Sequence, residues 1–296
     1  MIRIGPNEEY ILREVTDQID SILNSVGIFN RVFSRVKTGN SISQKLSEKH
    51  DDYLKRGKKM QDAFGIRVTV YFADDEEIAI HLIKKKFIEC PDDHSIDPLN
   101  KERFGPQRCN LIFKIPEFLL QSSSLFDNEL IDSTFEVQFR TIYSEWWHEV
   151  EHDLRYKCKK DWENEDILSR QLNGQLASLG NCDWVMLKIF DELAYTKYKN
   201  HQWSSFFRNI VRIRFEDHEL SDEIKAILDK KPNLAKEMLR SERKKLIYPL
   251  SKLSTRIPLK MDNVFFTVNR IIFEDKDIEA IEPQLIKQIL DKSLSE

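Results

Sequence analysis

Three short segments carry residue types and spacings suited to chemistry on phosphate. The first, RVKTGNSISQK at 35–45, sets Arg35 and Lys37 ahead of Ser41 and Lys45. With a helix opening near Ser41, Ser41 and Lys45 fall one turn apart on one face, while Arg35 and Lys37 project from the preceding segment. Point charges and a hydroxyl near a helix start suit a triphosphate, and a solvated basic face is the plainer reading of the same residues. In the second, DAFGIRV at 62–68, Asp62 and Arg67 flank a glycine at the entry to a strand. A carboxylate there can ligate Mg²⁺, which takes one or two protein carboxylates plus phosphates; otherwise Asp62 is a turn residue. The third, FEVQFRT at 135–141, puts Glu136, Gln138 and Arg140 on one side of a strand and Val137 and Phe139 on the other. Three polar groups on one side line either a cleft or water.

The glycines narrow the options. There are eight, none beyond Gly180, and they form neither G-x-G-x-x-G nor G-x-x-x-x-G-K-[ST]. A chain without those backbone cradles must hold phosphate with side chains.

The elements that position these groups are legible as a mixed α+β core. Ile11, Val15, Ile19, Ile22 and Leu23 have helical spacing over 8–26, with Gly27 as the stop. Strands are predicted over 65–75, 109–118 and 133–142, and helices over 78–87, 144–158 and 165–198. Beyond 217 the texture turns mainly helical (219–229, 232–247, 278–292), with a strand predicted at 263–273. The expected division is a first domain at 1–216, with its core at 31–160, and a helical region at 217–296.

Composition excludes more than it identifies. The net charge is −4, so overall balance names no partner, but the distribution is uneven. Residues 31–60 hold nine Lys/Arg against three Asp/Glu, and residues 230–260 hold ten against two. Such runs suit nucleotides or RNA, or are solvated faces. The second run gives Lys236, Arg240, Arg243, Lys244, Lys245, Lys252 and Arg256 as a candidate RNA contact. Four scattered cysteines without a C-x-x-C pair fit a reducing compartment. No apolar run nears the roughly 18 residues of a membrane span, and no signal pattern opens the chain, so the expectation is a cytoplasmic protein.

Taken together, and followed by WHEVEHDLRYK at 147–157, the segments resemble the RelA/SpoT alarmone synthetases. Members of that family show R-x-K-S-x-x-S-I-x-x-K, D-x-x-G-I-R-V, E-V-Q-I-R-T and W-A-x-x-E-H-x-x-x-Y-K in this order. The likeness covers roughly 31–160, with 161–200 similar to the helices closing the synthetase domain and nothing recognisable over 218–296. It implies a nucleotidyltransferase-like mixed sheet flanked by helices and a pyrophosphokinase moving pyrophosphate from ATP to the 3′-hydroxyl of a guanine nucleotide. By position, it implies that Arg35 and Arg67 sandwich adenine, that Lys37, Ser41 and Lys45 hold the phosphates, and that Asp62 and Glu136 bind Mg²⁺. Glu136 is also the implied base, with Gln138, Arg140 and Asn110 on the acceptor side.

The acceptor motif departs from the pattern. Where the family carries G-Y-x-S-x-H, this chain reads GPQRCN: Gly105 is kept, Pro106 replaces the base-stacking aromatic and Asn110 replaces the histidine. Proline has no π face, so a stacking contribution of about 1–3 kcal/mol is lost. Three readings follow. One is transfer to an altered acceptor such as the tRNA 3′ end, as in toxin relatives. Another is alarmone synthesis with Phe104 or Tyr143 stacking the base. The third is a non-catalytic nucleotide sensor signalling through the C-terminal helices. The oligomeric state stays open. HEVEH at 148–152 is a literal H-E-x-x-H, the spacing of a zinc hydrolase, but it lies in register with the family's helix and lacks a distinguishable third ligand. Trp146, Trp147, Phe72 and Phe87 are expected to pack, and Lys84–Lys86 to face water.

Overall fold

The alternation in TFEVQFRT builds the central strand of a five-stranded mixed sheet. In the computed structural model, which describes residues 2–48, 53, 59–97, 109–252 and 257–295, the strands are β1 (Asn30–Val36), β2 (Phe64–Val70), β3 (Ser95–Ile96), β4 (Cys109–Lys114) and β5 (Thr134–Thr141). Their order is β1-β2-β5-β4-β3. Only β2 and β5 run parallel; the other neighbours are antiparallel. Flanking helices are α1 (Pro6–Ser25), α2 (Gly39–Glu48), α3 (Asp75–Lys86), α4 (Ile142–Glu151) and α5 (Asp166–Lys199). This is the expected mixed sheet flanked by helices, followed by a helical C-terminal region.

The chain packs as two compact units. One comprises Met1–Ser21, Asn30–Val70 and Ile80–Gly180, and the other Ile22–Phe29, Tyr71–Ala79 and Asn181–Glu296. In the first, one face of the sheet is apolar: Phe64, Ile66 and Val68 on β2, Phe135 and Val137 on β5, and Leu111 and Phe113 on β4 are almost wholly buried. Phe87 closes this face, its ring 5.2 Å from that of Phe135. Each such side chain contributes about 1.5–3 kcal/mol by leaving water. The face is therefore committed to the core, and the period of two sends Glu136, Gln138 and Arg140 to the opposite face.

In the second unit, α1 ends in a Schellman motif. Gly27 has φ +74°, its N–H donates to Asn24 O, and the Ile28 N–H donates to Leu23 O. Helices α6 (Trp203–Val211), α7 (Asp222–Lys230), α8 (Pro232–Arg240), α9 (Arg243–Ile247), α10 (Met261–Val268), α11 (Lys276–Ala280) and α12 (Gln284–Ser295) complete it. A buried ion cluster lies here. The Arg243 guanidinium donates to Asp75 Oδ1 at 2.5 Å and to the carbonyls of Val211 and Arg212. Burial and the neighbouring Asp74 charge outweigh Arg243 and push the Asp75 carboxyl up to about 6.

Several expectations need correction. The predicted strand at 263–273 is helix α10 running into a π turn at Asn269–Phe273; an apolar run this dense reads alike as a buried strand or a buried helix. The strand over 65–75 stops at Val70, because Asp75, Glu76 and Glu77 form the acidic first turn of α3. The strand over 109–118 stops at Lys114, ahead of Pro116. Strand β1 was not predicted. Of the expected packing residues, Trp147 is fully buried and donates its indole N–H to Leu172 O at 2.7 Å, but Trp146 is 54% exposed. Arg243, counted in the basic run, is buried in the ion cluster and gives no RNA a handle, and Arg256 lies outside the described residues. No helix of the described residues is long and apolar enough to cross a membrane.

Candidate active site

Register assembles the site. Across β1, β2, β5 and β4 one row reads Arg35–Gly65–Glu136–Ile112, and the next reads Phe33–Arg67–Gln138–Asn110. Residues paired across strands share a face, so both rows stand on the face opposite the core. A cavity of about 210 Å³ opens over them, lined among others by Arg35, Lys37, Asp62, Gly65, Arg67, Glu136 and Gln138. The three sequence segments thus meet in one place.

Asp62 is positioned from both sides. The segment before β2 is held to β5 by Thr134 Oγ1 donating to Gln61 O at 3.1 Å, and to the residue that follows β1 by Lys37 N donating to Ala63 O at 2.9 Å. Lys45, reaching from α2, donates to Asp62 Oδ2 at 2.6 Å, and Lys37 donates to the same oxygen. Asp62 Oδ1 is buried with no hydrogen-bond partner among the described residues. Burial alone would raise the Asp62 carboxyl, but the hydrogen bonds from Lys37 and Lys45 outweigh it and hold the group below its ordinary value. The same burial lowers Lys37, which also feels the Lys45 charge, whereas in Lys45 burial is overcome by the bond to Asp62 and the ammonium is raised.

Glu136 is gripped by amides. Asn110 Nδ2 donates to its Oε1 at 2.7 Å, and Gln138 Nε2 to its Oε2 at 3.2 Å. Arg140 in turn donates to Gln138 Oε1 at 3.3 Å and to Glu145 Oε2 at 3.1 Å. Both oxygens are oriented, yet a carboxylate offers about four lone-pair directions, so acceptor capacity remains.

Two functional features lie beyond the sequence expectations. Glu145 and Glu149 of α4 accept from Arg67 at 2.6 and 2.5 Å, fixing the guanidinium over the sheet while its Nε stays buried and unpartnered. Their i, i+4 spacing is the one signal in the sequence, and it is overlaid by the two histidines of the same helix. Phe33, half exposed in the cavity wall, goes with β1, which the sequence does not mark as a strand.

Among the predicted residues, Arg35, Lys37, Asp62, Arg67, Glu136 and Gln138 line the cavity, and Lys45, Asn110 and Arg140 bond to members of that group. Ser41 stands apart, exposed on the first turn of α2 with its hydroxyl 2.9 Å from that of Thr38. Gly105, Pro106 and Phe104 lie outside the described residues. The H-E-x-x-H histidines serve separate ends. His152 contacts Asp153 and stacks on Tyr156, while burial, then the charges of Arg140 and Arg67, lower His148 to about 4. No group of three His, Cys, Asp or Glu among the described residues could hold a metal by itself.

Proteins of known structure share this architecture. The chain is similar to the small alarmone synthetase 1 from Bacillus subtilis bound to its product pppGpp, at 22% identity and TM-score 0.50, over 64% of this chain and 95% of that one. It is also similar to a GTP pyrophosphokinase family protein from Streptococcus pneumoniae, at 21% identity and TM-score 0.46, over 63% and 90%. No curated relative matches the sequence. Residues 34–161 match the family described as a region found in RelA / SpoT proteins, and this stretch holds every cavity-lining residue but Phe33. The chain carries a RelA/SpoT-type domain.

Proposed function

We propose that this domain is an ATP-dependent pyrophosphokinase that transfers the β,γ-pyrophosphoryl group of ATP to the 3′-hydroxyl of a nucleotide, free or at an RNA end. The observation carrying this reading is the placement of a lysine-paired Asp62 and an amide-held Glu136 on one cavity, opened by the bare Gly65 between Arg35 and Glu136. Pyrophosphoryl transfer demands charge neutralisation and in-line positioning more than covalent chemistry, and these are the resources gathered here.

Lys37 and Lys45 bind the triphosphate, exchanging the oxygen of Asp62 for phosphate oxygens. Arg35 and Arg67 hold the adenine. Glu136 accepts the proton of the 3′-hydroxyl, whose oxygen forms a bond to the β-phosphorus as the bond from that phosphorus to the α,β-bridging oxygen breaks, releasing AMP. Asn110 and Gln138 keep Glu136 aimed. Asp62, with an unpartnered oxygen, and Glu136 are the residues that would hold Mg²⁺, a hard cation satisfied by one or two protein carboxylates. When bound, Mg²⁺ supplies neutralisation of the phosphate charge.

The test is incubation of the full chain with γ-³²P-ATP and Mg²⁺, with GDP, GTP, ATP or bulk tRNA in separate tubes. Label on one acceptor, absent with Glu136→Ala, establishes the activity and names the acceptor. ATP binding without transfer in any tube refutes it.

A further inference from the structure

Phe33 lies opposite Arg67 across β1–β2 and shares the site face with Arg35, two residues along the same strand. It is 50% exposed, forms part of the cavity wall and has no ring partner among the described residues. Arg35 likewise makes no ion pair or hydrogen bond among the described residues. Beside them lies Gly65, paired with Arg35, where a Cβ would meet only the Arg35 carbonyl oxygen at 3.8 Å. Packing of the sheet thus leaves room for a side chain at 65, and the glycine keeps that floor bare.

The dimensions define a slot. Side chains at i and i+2 of a strand stand about 6.7 Å apart, roughly twice the 3.5 Å at which carbon atoms make optimal contact. One planar ring fits between them. A benzene face and a guanidinium on either side of that ring combine aromatic stacking with a cation–π contact. The slot belongs to β1, the strand that runs into Lys37, whereas Gln138 and Asn110 stand two and three strands away on β5 and β4. We infer that Phe33 is a specificity-determining residue, the stacking wall that holds the purine base of the donor nucleotide against Arg35 above Gly65. The inference rests on the donor site proposed above and adds to it a wall that the arginine pair does not supply.

Calorimetry on the full chain with Mg²⁺ tests it, using ATP and inorganic tripolyphosphate as separate probes. Phe33→Ala and Phe33→Leu should weaken ATP by about 5- to 150-fold, while Phe33→Trp stays within about twofold of the parent. Tripolyphosphate should bind all variants equally. Gly65→Val, which fills the floor, should also weaken ATP and spare tripolyphosphate. Unchanged ATP affinity in Phe33→Ala overturns the inference and leaves the donor site standing, as does equal loss of both probes, which would make Phe33 a structural residue. A parent protein that binds tripolyphosphate as tightly as ATP has no base slot. One that binds neither overturns the proposed function too.

Discussion

Asn110 faces Gln138 in the β4–β5 ladder but donates to Glu136 Oε1, at 2.7 Å. Its amide therefore acts on the carboxylate assigned as base. A positioning donor at this point should influence turnover without touching donor affinity. Asn110→Ala is expected to lower kcat by about 10- to 100-fold with the KM for ATP unchanged, and Asn110→His to recover most of it. Steady-state kinetics with the acceptor found by the label assay decides this, and an unaltered kcat in Asn110→Ala removes the positioning role.

Asp62 and Glu136 carry the heaviest demand. Either alanine variant should reduce transfer by about 10²-fold or more while circular dichroism stays that of the parent. Full activity in both would dismantle the site.

His148 offers a test of electrostatics independent of activity. Held at about 4, its imidazole stays neutral in the folded protein while the unfolded chain protonates from 6.5. Its contribution to stability is complete above pH 6.5 and is lost as pH falls toward 4, on the order of 3 kcal/mol over that interval. A ¹H–¹³C NMR titration should show one imidazole unprotonated at pH 5; a midpoint near 6.5 for every histidine contradicts the burial.

Asp75 has the opposite sign. Its carboxyl titrates at about 6 in the fold against 3.8 as the ordinary value, so the folded state binds the proton more tightly. Stability from this group rises as pH falls from about 6 to about 4, by about 3 kcal/mol, and is lowest above pH 6. Hydrogen exchange of the α9 amides should slow on acidification through this window, after correction for intrinsic rates. Asp75→Asn should abolish that trend, and its persistence would assign it to another group.

Period-two alternation makes the site face legible from the residues alone. In FEVQFRT the core side chains fix which face Glu136, Gln138 and Arg140 occupy, so local pattern and global packing say the same thing. The edge strand is hidden because NRVFSRV exposes most of its side chains and lacks the apolar alternation of a half-buried strand. Helix α10 resembles a strand for the converse reason: Val264, Phe265, Phe266, Thr267 and Val268 are all buried, leaving no polar side to mark the period. The grip of Glu145 and Glu149 on Arg67 joins residues 78 and 82 apart, a relation no local spacing encodes.

Gly39 admits no side chain. A Cβ there would stand 1.9 Å from the Ile2 carbonyl oxygen, so the backbone at Ile2 rests on the first turn of the helix that carries Ser41 and Lys45. A substitution at 39 would have to displace that backbone, and the helix that presents Lys45 to Asp62 would lose its cover.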